Sequence, residues 1–324
     1  ATAGVLDAGD YIEFYALPVD DTYFKYTTDN IYWLTLSGGS GLAKRMAVDE
    51  GAPATVELSV DFVDTVHHEQ DIIYWLKAPG ADSIERWFFG TFVQGDEHGG
   101  GGVAKAFSIH VPEPVSNGTL TISMVGQTAT DHAVEVVING ASDTFYWSGI
   151  AYNQATITNV PLNHGDNTVT LQCLSADGND SIAVDFFKIT YRRDYVAGTD
   201  GSLKFEPDNG RRYIIDGFST NTLAAYNISD PADVMRIVDY AVSGPDGDGK
   251  YSIDFEPASM GDTYYVLTAD AVYAPDALAK DTASSLFDTA NGADYILITH
   301  RDVGWDVSGD AYQWLDDLAT LRQA

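Results

Sequence analysis

Val134-Glu135-Val136-Val137-Ile138-Asn139-Gly140 alternates apolar residues at 134, 136 and 138 and then stops at an Asn-Gly pair. Side chains two apart share one face of a strand, so these three residues predict a half-buried β-strand. Asn-Gly readily takes the positive φ values of a tight two-residue turn, so the chain is expected to fold back there as a hairpin. The same period recurs on both sides. Leu120, Ile122 and Met124 alternate with Thr and Ser; Val169, Leu171 and Cys173 follow Gly165-Asp166-Asn167; and Ala183–Tyr191 supplies a last strand. Strands of about 6–9 residues separated by turn signals predict an antiparallel β-sandwich of jelly-roll type over residues 86–195.

Upstream lie short aromatic β-like runs at Tyr11–Tyr15 and Ile31–Leu36, then Thr55–Val63 with Val56, Leu58, Val60 and Phe62 on one side. Ile72–Leu76 and Trp87–Val93 add two more strands, and residues 1–85 read as a β-rich module, separate from the sandwich or joined to it. Arg192–Asp200 is charged and then turn-rich, a boundary. Beyond it Tyr213–Ile215, Thr222–Asn227, Tyr251–Phe255 and Tyr264–Leu267 predict a smaller β domain over 196–285. The tail differs in kind. Tyr295–Thr299 is a short apolar strand, and Ser308–Arg322 predicts a helix with Ser308 as N-cap and a stripe of Ala311, Trp314, Leu315, Leu318 and Leu321. Residues 286–324 thus read as the first βα unit of an α/β domain cut short. The expected fold class is mainly β: an antiparallel jelly-roll-like sandwich, smaller β domains and one terminal βα unit.

The chain has 324 residues with 17 basic and 48 acidic side chains, a formal charge of −31. Such a charge repels nucleic-acid phosphates and anionic lipid alike, so neither is an expected partner. No run of about 18 apolar residues exists, so no membrane-spanning helix is expected. Asp supplies 38 of the 48 acids, and Asp favours caps and turns over helix interiors, in keeping with a loop-rich β chain. The acidity suits a saline or calcium-containing medium as well as plain solubility. Cys173 is the single cysteine, so no internal disulfide is expected. The chain begins at Ala1 with neither Met nor a signal-like segment, which fits a cleaved leader or an excised piece.

Gly292-Ala293-Asp294-Tyr295-Ile296-Leu297-Ile298-Thr299-His300-Arg301-Asp302, with Leu318-Ala319-Thr320-Leu321-Arg322-Gln323 after it, resembles the opening of the catalytic domain of gingipain-like cysteine peptidases. The chain before it resembles the non-catalytic half of large secreted members of that family. The matching stretches are Ala8–Tyr15, Asn30–Thr35, Gly165–Leu171 and, longest, Asp180–Tyr191. The resemblance implies that the family's catalytic His and Cys lie beyond this chain, which would carry no catalytic residue of its own. It also implies a secreted or cell-surface bacterial protein whose partner is its own C-terminal peptidase domain, with protein substrates or glycans as further partners.

Cys173 shares the alternating face of Val169 and Leu171, and a buried thiol acts as a small hydrophobe rather than a nucleophile. His300 ends a strand but has no Cys to work with. His67-His68-Glu69 and Asp71 are the densest group of metal-ligand types, yet strand neighbours point to opposite faces and cannot share one ion easily. Asp246-Gly247-Asp248-Gly249, followed by Asp254, alternates carboxylates with flexible glycine as Ca²⁺ ligation requires, or as a polar hairpin turn does. Asp177, Asn179 and Asp180 form a second such loop. Trp147 and Tyr152, in the expected loop Phe145–Tyr152, could stack on sugar rings, whereas Trp33, Trp75 and Trp87 sit in strand patterns and are expected in the core. Sequons at Asn117, Asn179 and Asn227 carry no assigned role. With no Gly-x-Ser-x-Gly or His-Glu-x-x-His motif, two readings stand: a catalytically inactive β-scaffold of a secreted peptidase, or a carbohydrate-binding or calcium-dependent adhesive sandwich.

Overall fold

The computed structural model describes residues 12–17, 29–34, 45–54, 57–80, 86–90, 92–96, 102–258, 261–281, 284–285, 287–290, 292, 318 and 320–321. Its strands begin with β1 (Ala47–Glu50), β2 (Leu58–Ser59), β3 (Asp61–Glu69), β4 (Ile73–Tyr74), β5 (Trp87–Phe88) and β6 (Phe92–Gln94). The middle holds β7 (Lys105–Val111), β8 (Gly118–Gly126), β9 (Asp131–Ile138), β10 (Ala141–Ser148), β11 (Tyr152–Val160), β12 (Gly165–Cys173) and β13 (Ser181–Asp194). Then come β14 (Ser202–Phe205), β15 (Arg212–Phe218), β16 (Leu223–Asn227), β17 (Met235–Val238), β18 (Ala241–Ser243), β19 (Tyr251–Phe255) and β20 (Tyr264–Thr268). The protein is mainly β. Residues 1–273 form one compact unit and 274–324 another. Of the expected βα unit, Tyr295–Thr299 lies outside the described residues; of its helix, Leu318, Thr320 and Leu321 are described, and they are helical. No helix of the described residues is long and apolar enough to cross a membrane.

The first sandwich packs a four-stranded sheet, β10-β9-β12-β7, on a five-stranded sheet, β11-β8-β13-β3, with β6 added to β13. Its sequence periodicity is its construction. Leu120, Ile122 and Met124 of β8 meet Val134, Val136 and Ile138 of β9 and Val169, Leu171 and Cys173 of β12 in one buried core. The expected hairpin is present: β9 and β10 pair from Ile138 with Ala141, and Asn139 and Gly140 carry φ values of 47° and 85°. A two-residue turn with both φ values positive matches the right-handed twist of the strands it joins.

A second sandwich packs β1-β17-β16-β20-β14 on β18-β19-β15-β2. Tyr213, Phe255, Tyr264, Phe205 and Ile215 fill its core. All four strand runs expected after residue 196 are found there, but β1 and β2 come from far upstream and join as parallel edge strands, on β17 and β15. The segments expected as strands at Tyr11–Tyr15 and Ile31–Leu36 are described in part, and those parts belong to no strand. Thr55–Val63 is also corrected. Phe62 is buried, but Leu58 is exposed and Val60 is 64% exposed, while Ser59 between them is buried. Ser59 hydrogen-bonds the Tyr195 hydroxyl at 2.8 Å and donates to Asn209 at 2.9 Å. Its polar anchoring breaks the run into β2 and β3, each with its own phase.

Strands β3 and β13 belong to both sandwiches. They pair from Phe186 with Glu69 to Asp194 with Asp61. Val66 packs on the first core and Phe62 in the second; Tyr191 closes the first, and Tyr195, just past β13, enters the second. Arg193 binds Asp64 at 2.9 Å and lies over the Phe62 ring, and Arg192 holds both Asp61 and Asp208.

The first core also encloses a carboxylate. Asp180 is fully buried; it accepts from the Cys173 thiol at 3.2 Å and from Thr128 at 3.3 Å, and it faces His132 Nδ1 at 2.6 Å. His132 Nε2 lies 3.0 Å from the Gly149 carbonyl, which only accepts, so that nitrogen carries a hydrogen. The Trp147 ring stacks on His132 at 4.8 Å. Gly126 is fixed by this packing, since a Cβ there would stand 2.2 Å from His132 Nε2. Asp180→Ala leaves the buried His132 ring and the buried Cys173 thiol without their shared partner, and it is expected to cost about 3–5 kcal/mol in urea unfolding. A loss below about 1 kcal/mol would refute the role given to Asp180.

Candidate functional site

Ile72-Ile73-Tyr74-Trp75-Leu76 and Trp87-Phe88-Phe89 build a small hairpin, β4 paired with β5, with Ile73 opposite Phe88 and Tyr74 opposite Trp87. Alternation divides it into two sides. On the inner side Phe88 and Ala78 are buried with Val125 of β8 and Ala183 of β13, and Trp75 and Tyr152 pack against them. This cluster lies on the outer face of the five-stranded sheet, because Leu120, Ile122 and Met124 turn the other way. On the solvent side Ile72, Tyr74 and Leu76 are 60%, 51% and 65% exposed. The Tyr74 and Trp87 rings sit 5.1 Å apart at 52°. Arg86 donates to the Leu76 carbonyl at 2.6 Å, and Asp71 and Lys77 are exposed at the two ends of the strand. The result is an apolar, aromatic patch with a rigid back and charged ends.

Beside the hairpin the same outer face is polar. His67 stacks on Phe186 at 4.9 Å and meets Glu69 at 2.7 Å. Its neighbour His68 turns to the other side, against Phe89 and Phe187, and burial lowers its pKa. Asp185 is nearly buried and accepts from Ser123 at 2.7 Å. Desolvation first, and the nearby Glu69 and Asp71 carboxylates after it, push Asp185 up to about 6. Desolvation raises Asp71 as well.

The residues expected to act are distributed otherwise. Trp147, on β10, packs against the interior of the first sandwich, and Tyr152, on β11, stacks on Phe88 in the outer cluster, so the structure does not join them into one sugar platform. Trp75 packs inward as its strand pattern predicted, but Trp87, beside Tyr74 on the other side of the hairpin, is only half-buried, and Trp33 is 73% exposed. Trp87 escapes the core because β4 and β5 cover the sheet with only one side. The runs Ile72–Leu76 and Trp87–Val93 carried no sign of this, because their pairing is limited to two residues on each strand only in the fold.

Asp246, Asp248 and Asp254 are not assembled into an oxygen cage. Asp246 accepts the amides of Asp248 and Lys250 at 2.9 and 2.8 Å in a hairpin turn, while Asp254 is bound by Arg212 at 2.8 Å. A guanidinium on the third carboxylate competes with any cation, and these three residues do not fit Ca²⁺. Asp180, expected in the other loop, is the buried acceptor of the first core. Among the described residues no group of three or more His, Cys, Asp or Glu is placed to hold a metal ion. Cys173 has an imidazole two hydrogen bonds away, but burial pushes its thiol up to about 12, so it offers no thiolate at neutral pH. His300 lies outside the described residues.

Asp185 yields a pH test. Its folded pKa lies above its unfolded value, so the folded state holds the extra proton; that stability is complete below about pH 4 and is lost as pH rises through 6. Asp185→Asn keeps an acceptor for Ser123 and is expected to stabilise by about 2 kcal/mol at pH 7.5 and by little at pH 3.5. Equal effects at both pH values in chemical denaturation would contradict the assignment.

No protein-family model matches the chain, and no curated protein matches it. Solved structures similar to it include a carbohydrate-binding module CBM36 in complex with calcium and xylotriose, at 20% identity over 39% of this chain and 98% of that chain, with a TM-score of 0.27. CBM35 from Cellvibrio japonicus Abf62 is 20% identical over 40% of this chain and 97% of that one, TM-score 0.29. A family 35 carbohydrate-binding module from Clostridium thermocellum is 18% identical over 40% of this chain and 95% of its own, TM-score 0.25.

Proposed function

We propose that the sandwich of residues 61–194 is a carbohydrate-binding module and that the Tyr74–Trp87 pair is its contact surface. The observation that carries this reading is an aromatic pair, exposed Tyr74 beside half-buried Trp87, on a hairpin whose reverse side is packed into a buried cluster. A sugar ring has an apolar C–H face edged by hydroxyls. Aromatic faces accept the first, and Asp71, Lys77 and neighbouring main-chain groups can hydrogen-bond the second. The packed reverse side matters energetically, because rings already held in place lose little freedom when a ligand arrives. Ile72 and Leu76 widen the apolar strip along the strand direction, which suits a chain of sugars over a single unit.

In the same reading the chain is the non-catalytic, secreted or surface-attached region that anchors a gingipain-like cysteine peptidase domain or presents substrate to it. That part rests on the sequence resemblance at Asp180–Tyr191 and Gly292–Asp302, and the glycan face is the surface that would do the anchoring.

Native gels cast with soluble neutral polysaccharides test the sugar reading. At least one polymer is expected to retard the protein, and Trp87→Ala or Tyr74→Ala to abolish the retardation, with the melting temperature of the exposed Tyr74→Ala variant staying within about 2 °C. Retardation that survives both substitutions together, or none with any polymer, would overturn the proposal.

A further inference from the structure

The second sandwich carries a cavity of about 380 Å³ on the outer face of its five-stranded sheet, within the range of small-molecule sites. Tyr226 of β16 and Tyr265 of β20 are direct cross-strand partners there, and Leu267 continues the wall. Tyr15, from the segment 12–17 that passes over the sheet, packs on the cluster these residues form. Glu13, in the same segment, accepts a close hydrogen bond from the Tyr226 hydroxyl. Lys204, opposite Tyr265 on β14, stands at the other side of the cavity and is exposed.

Three features select the charge of an occupant. Aromatic rings carry a negative face and attract cations. Glu13 adds a carboxylate to the wall. The chain as a whole, at −31, draws cations toward it and repels anions. Lys204 opposes this locally, but its long stem lets the ammonium swing into water. We propose that this cavity binds an organic cation, an alkylammonium group seated among Tyr15, Tyr226 and Tyr265 with Glu13 as its counter-charge. The site is separate from the Tyr74–Trp87 face and does not depend on the glycan reading.

Calorimetric titration with three ligands of one shape and different charge tests it: choline, the neutral 3,3-dimethyl-1-butanol and the anion 3,3-dimethylbutanoate. Choline is expected to bind about tenfold more tightly than the alcohol, with the carboxylate weaker still. Glu13→Gln is expected to weaken choline about threefold or more and Lys204→Gln to tighten it by a similar factor, and unchanged near-UV circular dichroism shows that the variants are folded. Tyr226→Leu should abolish the preference for choline over the alcohol. Equal binding of choline and alcohol, tighter binding of the carboxylate, no saturable heat at millimolar choline, or charge variants that move affinity in the same direction would each overturn the proposal.

Discussion

Strand β13 must satisfy opposite demands on its two faces, and most of the molecule depends on how it does so. Its first residues send Ile182 and Val184 into the first core, and its later ones send Phe187, Ile189 and Tyr191 there. Those two sets are out of phase by one residue. The register against β8 slips between Val184 and Phe186, and the extra residue is Asp185. A bulge of one residue exchanges the faces of everything after it. Without it Phe187 and Ile189 would face outward, and Phe186 and Lys188 inward. The bulge is therefore what lets the core continue along β13, and it leaves Asp185 on the outer face, sheltered enough that desolvation pushes its carboxyl up to about 6.

The continuation matters because β13 with β3 is common to both sandwiches. A ribbon whose two ends are buried in different cores holds them in register more firmly than a linker would. The arginine–aspartate contacts of Arg192 and Arg193 lie where the ribbon passes from one core to the other; being partly exposed, they act more as orientation than as a large source of stability. Next to the bulge, the Val125–Ala183 surface is apolar enough to hold the β4–β5 hairpin, and that hairpin carries the exposed Tyr74 and the half-buried Trp87.

How much of this could be read from the sequence follows from the range of the interactions. Alternation at Val134–Ile138, the turn at Asn139-Gly140 and the strands after Tyr213 depend on neighbours a few residues apart, and they were legible. The parallel joining of β1 and β2 to strands more than 150 residues later has no local signature. Nor has the binding of Asp254 by Arg212, which removes a carboxylate from a loop whose composition alone suits calcium. Trp147 and Tyr152 are close in sequence yet belong to different sheets, so proximity misled there. Trp87 was assigned to the core because its run is apolar, and the one-sided packing of its hairpin leaves it half-buried beside Tyr74.

The measurement that bears most directly on the account is a ¹H–¹⁵N correlation spectrum of the whole chain titrated with an oligosaccharide from the best-retained polymer. The account predicts shifts concentrated in the Trp87 indole N–H and the amides of residues 72–77 and 86–88. Shifts centred instead on Tyr146 and Trp147 at the β10 edge, or spread evenly with none at Trp87, would contradict it.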